Sequence, residues 1–349
     1  MRISYPHPCN WRRQIAIEGN LINLPIQLYS TARSVHPEPT LGDVCARVKY
    51  CVRGLITPRL TSEWFALLNS PDLAPVVTQH PHILSKLQRP YLHRRLTPRG
   101  RLTVLKHHYD FVKKHLSENI RKAAFTKPGF LLANLPVPEP CRFSLRLAYN
   151  GDYEKEGDLS LCLTDETNGL PLFMLTFCAS RFAAGEPREL FIGGLQGRRA
   201  PNQHELIITL TRSLHGLRPK ALLIFALQRL AQLWGISSLR AVGGDEHIYR
   251  HIRKRKDFEA NYDEFWRECH GEQLPDGNFQ LPVVPLVRNL EELPGNKRGM
   301  YRKRYAMLGQ LGEEIRRQII PAQPGTSAVP MMVDPFNLFA FNARVTTPK

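Results

Sequence analysis

The chain has 349 residues, 42% hydrophobic and 23% charged, which is typical of a globular protein with room for one large or two modest domains. Forty-eight Lys and Arg against 31 Asp and Glu leave a net charge of +17, which favours an anionic partner such as nucleic acid, an acidic membrane surface or a phosphorylated ligand. The seven cysteines are odd in number, widely spaced and without a CxxC pair, a pattern that indicates a reducing cytoplasm rather than a disulfide framework.

Two apolar stretches are candidates for a targeting or membrane segment, and both are too short. The first, 15–28, is interrupted by Glu18, Asn23 and Pro25, whereas a secretory signal needs about 7–15 apolar residues in a row. The longest apolar run, 221–227, falls far below the ~20 residues that span a bilayer. We therefore expect no transmembrane segment and a cytoplasmic location, with any membrane contact peripheral at the inner membrane.

The first 140 residues have helical periodicity and a strong basic bias. Helices are predicted at 41–54, 61–69 and 101–125, and the last has apolar residues at steps of three and four. Between His80 and Lys122 there are eleven Lys or Arg, two acidic residues and six His. A solvated helical face explains this bias most simply, and the alternative is a surface that faces phosphate or lipid headgroups.

The hydrophobic period changes from helix to strand after the proline-rich segment 136–140. Alternating residues and turn signals predict a meander of three strands and a fourth strand that extends it. A basic helix is expected from Lys297 onward, and the proline-containing end has little periodicity. The remaining elements predicted after residue 140 are strands at 143–149, 159–163, 172–178, 189–195 and 239–242, and helices at 203–214, 219–234 and 257–268.

These patterns predict an α+β fold, with a helical N-terminal part followed by a mixed, mostly antiparallel sheet flanked by helices. The corresponding division is a helical basic region at 1–140, an α+β core domain at 141–317 and a loose tail at 318–349.

A Gly-Gly pair inside the strand at 189–195 indicates a bulge or a close approach by another backbone or a ligand. Pro219 suits the first turn of the next long helix, where free backbone amides attract anions. Acyl-CoA N-acyltransferases hold pantetheine and pyrophosphate with such a bulged strand and basic helix start. The alternative is an ordinary strand–helix–strand unit with a basic cap. The candidate acyl-CoA-binding residues are Leu195, Gln196, Gly197, Arg218 and Lys220.

Candidate catalytic residues follow the strand at 239–242, since functional groups are often found where a strand ends. Glu246 or His247 is the candidate general base, and Tyr249 is the candidate acid that protonates a leaving thiolate. The alternative is that Asp245 caps a helix and its neighbours are merely exposed.

Metal and nucleic-acid sites have weaker support. His108 and His115 are seven residues apart rather than three or four, so no metal site is predicted. Basic clusters at 253–256 and 297–304 are interleaved with tyrosines that could stack on bases, but no known nucleic-acid module surrounds them. Nucleic-acid binding is therefore only a second alternative.

Five strings occur in a fixed order over about residues 40–310. They are Lys106-His-His-Tyr-Asp-Phe111, Leu190-Phe-Ile-Gly-Gly-Leu-Gln-Gly197, Leu210-Thr-Arg-Ser-Leu-His-Gly-Leu-Arg-Pro-Lys220, Asn261-Tyr-Asp-Glu-Phe-Trp266 and Lys297-Arg-Gly-Met-Tyr-Arg-Lys-Arg-Tyr305. Together these strings resemble the VirK/YbjX family. The resemblance implies a Gram-negative virulence or envelope-defence factor, linked to outer-membrane lipid state and resistance to cationic antimicrobial peptides, without a settled activity. It supplies no catalytic residues.

Three functional hypotheses follow from the sequence. The first is an envelope-defence factor with an acyltransferase-like domain, either enzymatic or degenerate. The second is a non-enzymatic adaptor whose basic face binds anionic lipid or an envelope-related partner protein. The third is a nucleic-acid-binding protein.

Overall fold

The computed structural model describes residues 21–149, 151–180, 188–198, 203–250 and 262–320. They form an eight-stranded sheet in the order β1-β2-β3-β4-β5-β6-β8-β7, with helices on both sides. Neighbouring strands are antiparallel except for β5 and β6, which are parallel. This confirms the α+β prediction. The strands are β1 (Phe130–Asn134), β2 (Phe143–Ala148), β3 (Leu159–Asp165), β4 (Leu170–Ser180), β5 (Glu189–Gly197), β6 (Ser238–Ala241), β7 (Glu272–Gln273) and β8 (Phe279–Leu281).

The described residues also form ten α-helices and four 3-10 segments, of which the longest, Pro81–Gln88, is here called the 3-10 segment. In the part of the chain that the structure describes, no helix has both the length and the hydrophobicity needed to cross a bilayer. The helices are α1 (Leu24–Val35), α2 (Leu41–Ile56), α3 (Pro58–Leu68), α4 (Ala74–Gln79), α5 (Pro98–His115), α6 (Glu118–Ala124), α7 (Gln203–Ser213), α8 (Pro219–Leu233), α9 (Tyr262–Glu268) and α10 (Gly295–Ile319).

The prediction of one helix over 101–125 is wrong, because the helix is interrupted between α5 and α6. Leu116 is extended, and the Ser117 hydroxyl accepts a hydrogen bond from the backbone N–H of Ile120 at 3.4 Å, which begins a new helix. The N-terminal part is also not purely helical, since it contains β1. Residues 257–261 of one predicted helix and 321–349 of the predicted tail lie outside the described residues.

The N-terminal helices attach to the rest of the protein through the 3-10 segment. The Tyr50 hydroxyl and the Trp64 indole N–H both donate to the carbonyl of Leu84, at 3.1 and 3.2 Å. The hydrophobic core runs without a break from α1 through the sheet to α10. The division into domains at residue 140 stays a prediction.

Both faces of the sheet are covered along β4. Consecutive strand residues point to opposite faces. Phe177 packs toward Trp234, which follows α8, whereas Cys178 faces the Tyr91 hydroxyl at 3.3 Å, on the side of α5. Every residue of β4 from Leu172 to Ser180 is buried, which explains why this strand is mainly apolar.

The Gly-Gly pair of β5 forms a bulge, as the sequence predicts. Thr176 of β4 pairs with Gly194 and Phe177 pairs with Ile192, which leaves Gly193 as the extra residue. A side chain at Gly193 would come within 1.9 Å of the carbonyl oxygen of Glu156, and one at Gly194 within 1.9 Å of its carboxylate. The two glycines therefore make room for Glu156 against the strand.

Candidate active site

The candidate active site lies where β5 and β6 stop pairing. Their parallel register ends at Ile192 opposite Ala241, and one further bond joins the Val242 N–H to the Ile192 carbonyl at 2.9 Å. Beyond that point the Tyr262 hydroxyl of α9 accepts from the Leu195 N–H at 3.0 Å and donates to the Leu195 carbonyl at 3.3 Å. The carboxyl ends of two parallel strands thus stop pairing at a gap that the Tyr262 hydroxyl occupies, and such strand ends are a common position for ligand sites in α/β sheets.

Glu156 lies beside this gap, against the Gly193–Gly194 bulge, and is 0% exposed. Its Oε1 accepts a hydrogen bond from Nε2 of Gln196 at 2.7 Å and lies 3.3 Å from Nε2 of His247, which is also fully buried. Its Oε2 has no hydrogen-bond partner among the described residues. A buried carboxylate oxygen without a partner is costly in a folded protein, and such groups occur at functional sites.

Burial raises the pKa of Glu156, while the contacts with His247 and Gln196 oppose that shift. Nδ1 of His247 accepts from the Tyr249 N–H at 3.3 Å, so the ring proton resides on Nε2, facing Glu156. A carboxyl group with a raised pKa can accept a proton near neutral pH more readily than an ordinary glutamate. The pair therefore has the composition of a general base and the group that orients it.

The three predicted catalytic residues do not all face this gap. Glu246 is 2% exposed, but its Oε1 binds Arg94 at 3.3 Å and Arg95 at 2.6 Å. His247 faces Glu156, and the Tyr249 ring lies 5.5 Å from the His247 ring between centroids. Burial raises the pKa of Tyr249, so its phenol stays protonated. The structure thus brings His247 and Tyr249 together and directs Glu246 to a pair of arginines.

The predicted acyl-CoA residues lie in two places: Leu195, Gln196 and Gly197 at the end of β5, and Arg218 and Lys220 at the start of α8. Gln196 contacts Glu156, and the Leu195 backbone groups are bonded to Tyr262. Gly197 pairs with Phe173, whose ring lies 5.8 Å from the Lys220 ammonium.

At the start of α8, Arg218 is 68% exposed in its side chain and binds Glu268 of α9 at 2.7 Å. The Lys220 ammonium also lies 5.9 Å from the ring centroid of Phe265, which is on α9 like Glu268. Burial, with Arg218 nearby, lowers the pKa of Lys220. Since α9 also carries Tyr262, one short helix contacts both the strand end and the basic helix start.

Sequence reasoning missed Glu156 and Tyr262. Glu156 belongs to the acidic turn 152–156 before β3, a composition that ordinarily indicates an exposed loop. Tyr262 was noted only within a string that carried the family resemblance. The sequence contained one indirect signal for Glu156: the Gly-Gly pair indicates that some group lies close to the strand, but it does not identify that group.

A second buried polar cluster joins the 3-10 segment, α5 and the sheet at Asp158. Its Oδ1 accepts from Lys86 at 2.8 Å and from the Tyr109 hydroxyl at 2.7 Å, and its Oδ2 accepts from the Tyr91 hydroxyl. Burial alone would raise the pKa of Asp158, but Lys86, His108 and the Tyr91 hydrogen bond hold it below the usual value. The carboxylate is therefore ionised and paired inside the core.

Ligand atoms of His108, Asp158 and Cys178 lie within 4.8 Å of one another, and these residue types can bind zinc. The Asp158 carboxylate, however, is already held by an ammonium group and two hydroxyls. A dication there would lie beside the charge of Lys86, which disfavours binding. The cluster is better explained as a structural connection between the helical part and the sheet.

Protein stability should depend on pH through His108. Burial lowers its pKa from 6.5 to about 4, so the unfolded state binds more protons between those values. Its contribution to stability is complete above pH 6.5 and is lost as the pH falls toward 4, by about 3 kcal/mol in all. His108→Asn, which keeps an acceptor for the Ala179 N–H, should flatten this part of the profile in urea unfolding at pH 4.5–7.5. The matched control is His107→Asn, which removes a half-buried imidazole from the same helix.

Comparison with known proteins places these residues in a family. The model of the DUF535 family, described as a protein of unknown function, matches residues 40–317. The chain belongs to the DUF535 family. The matched region contains Glu156, His247, Tyr262 and the start of α8.

Relatives of this DUF535 chain support the assignment. It is 34% identical over 266 residues to the Escherichia coli K12 protein named uncharacterized protein YbjX, covering 75% of this chain and 80% of YbjX. It is 25% identical over 293 residues to an uncharacterized Haemophilus influenzae protein, covering 84% and 96% of the two chains. The YbjX match agrees with the family resemblance stated above. No solved structure matches the chain significantly.

Proposed function

We propose that this DUF535 protein is a virulence or envelope-defence factor of Gram-negative bacteria, affecting outer-membrane lipid state and resistance to cationic antimicrobial peptides. In this proposal it works in the cytoplasm, beside the inner membrane, through an acyl-CoA-dependent acyltransferase-like site at the gap between β5 and β6. The observation that carries the transferase proposal is the buried Glu156–His247 pair beside a bulged strand that separates from its parallel neighbour.

The chemistry assigned to the site is acyl transfer to an amine. Glu156 takes a proton from the attacking nitrogen, which forms a bond to the thioester carbonyl carbon as the carbon–sulfur bond breaks. Tyr249 gives its proton to the departing thiolate, so the products are an amide and the free thiol of CoA. His247 keeps the Glu156 carboxylate in place and is a positioning residue.

Two observations support acyl-CoA as the acyl donor. Arg218 precedes α8, Pro219 occupies its first turn, and Lys220 follows, so free amides and two cations meet where phosphates would bind. Gln196 and Gly197 continue from Glu156 toward that helix start. The Tyr262 hydroxyl is bonded to both Leu195 backbone groups, so pantetheine can contact them only after Tyr262 moves away. The proposal therefore includes displacement of Tyr262 when acyl-CoA binds.

Calorimetric titration of the full-length protein with acetyl-CoA and palmitoyl-CoA tests the binding site. Arg218→Ala/Lys220→Ala should weaken binding on the order of 10- to 100-fold, because two charge-assisted contacts are lost and Arg218 is largely exposed. Lys297→Ala/Arg302→Ala removes the same charge from exposed positions of α10 and serves as the matched control. Absence of binding by the wild-type protein, or equal binding by both double variants, would contradict the proposed site.

A further inference from the structure

Helix α2 turns an apolar face away from the protein. It packs inward through Tyr50 and Gly54, and a side chain at Gly54 would come within 2.3 Å of Leu28 on α1. On the opposite side six large apolar side chains are between 43% and 85% exposed. This surface, the α2 stripe, consists of Leu41, Val44, Val48, Val52, Leu55 and Ile56.

The spacing of the α2 stripe makes it one continuous surface. Its members recur at steps of three and four residues along the whole helix, which places them on one side of it. The chain leading into and along α1 exposes Ile22, Ile26 and Tyr29 by 58–80%. The other exposed large apolar residues in the described chain are on separate elements. They are Leu170, Ile208, Leu286, Met300 and Ile320.

Uncompensated positive charge accompanies the α2 stripe. Residues 21–59 contain five Lys or Arg and two acidic residues. Lys49 and Arg53 are exposed beside the stripe, and within the described ranges none of the five basic side chains forms an ion pair. The basic residues are Arg33, Arg47, Lys49, Arg53 and Arg59. An apolar stripe flanked by cations without acidic partners is complementary to a surface with acyl chains below anionic headgroups.

We infer that the α2 stripe docks on a bilayer that carries anionic phospholipids, with α2 lying in the plane of the interface. The helix has 16 residues and is about 24 Å long, shorter than the ~30 Å hydrocarbon core, so it suits a surface position rather than a crossing. The basic residues bind the phosphate groups, and the apolar residues enter the region between headgroups and acyl chains. The inference uses no residue of the Glu156–His247 pair and stands apart from the transferase proposal.

Vesicle flotation of the full-length protein tests this surface. Vesicles of phosphatidylcholine alone are compared with vesicles that contain phosphatidylglycerol in addition, at low and high salt. Wild-type protein should partition at least ~10-fold more onto the anionic vesicles, and the difference should shrink as salt rises. Flotation that is absent, or equal on the two vesicle types, would overturn the inference.

Val48→Glu/Val52→Glu places two acidic groups in the centre of the stripe and should reduce partition by roughly 10- to 100-fold. Leu170→Glu/Leu286→Glu makes the same change at exposed apolar positions elsewhere and should keep wild-type partition. Both double variants should unfold near the wild-type temperature, since all four positions are exposed. Undiminished flotation of Val48→Glu/Val52→Glu would overturn the inference. So would conversion of a dimer to a monomer by that variant without any vesicle binding, because the stripe would then join two copies of the chain.

Discussion

Asp158→Asn is expected to destabilise the protein by about 3–5 kcal/mol at pH 7, because it leaves the Lys86 ammonium buried without its counterion. The side chains of the pair are 2% and 0% exposed, so water cannot replace the lost partner. The asparagine has the same shape, and with its carbonyl oxygen at the Oδ1 position it still accepts from Tyr109. At the Oδ2 position its amide nitrogen can only donate, so the Tyr91 hydroxyl must act as the acceptor there, and the loss includes this change as well as the charge. Equilibrium unfolding in urea, followed by tryptophan fluorescence, measures the difference.

Two controls separate charge from packing in this experiment. Lys86→Met/Asp158→Asn removes both charges and should recover a large part of the loss, since a neutral pair avoids the cost of burying ions. Glu63→Gln breaks the exposed ion pair with Lys106 and should cost less than about 1 kcal/mol. If Asp158→Asn were as stable as wild type, Asp158 would not be an ionised partner of Lys86, and the structural role assigned to the cluster would fail.

Glu156→Gln is expected to slow acyl transfer by about 10²- to 10⁴-fold while leaving acyl-CoA affinity within a few fold. The amide matches the carboxyl group in shape but cannot accept the proton of the attacking amine. Release of free thiol from acetyl-CoA or palmitoyl-CoA, with ethanolamine as a model acceptor, measures the rate. Calorimetry on the same samples measures the affinity.

The pH dependence and a matched variant distinguish Glu156 from its neighbour. Because the base must be ionised, the wild-type rate should fall as the pH drops through the raised pKa of Glu156. Glu246→Gln changes an equally buried carboxyl group that faces Arg94 and Arg95, so it should lower stability more than rate. The opposite result, with Glu246→Gln slow and Glu156→Gln active, would return the role of base to Glu246, one of the two candidates that the sequence suggests.

Local patterns in the sequence were sufficient for most of the core elements. Alternation of apolar residues placed β2 and β3 within two residues of their observed ends, and the long apolar run placed α8. The Gly-Gly pair correctly indicated the bulge in β5. Short or weakly periodic elements, such as β1, β7, β8 and the 3-10 segment, were not predicted, because a short segment contains too few residues to show a period.

Only the tertiary structure decided which of these residues meet. Glu156 is 40 residues from Gln196 and Lys86 is 72 residues from Asp158, separations at which no local spacing constrains a contact. The same limit applies to α2, whose periodicity predicted a helix but not that its apolar side faces outward. Periodicity depends on neighbours along one element, whereas partners across the sheet depend on how all the elements pack. The sequence by itself therefore determined most of the core elements, the positive charge and the bulge, and the packing of the chain decided that Glu156 rather than Glu246 faces His247.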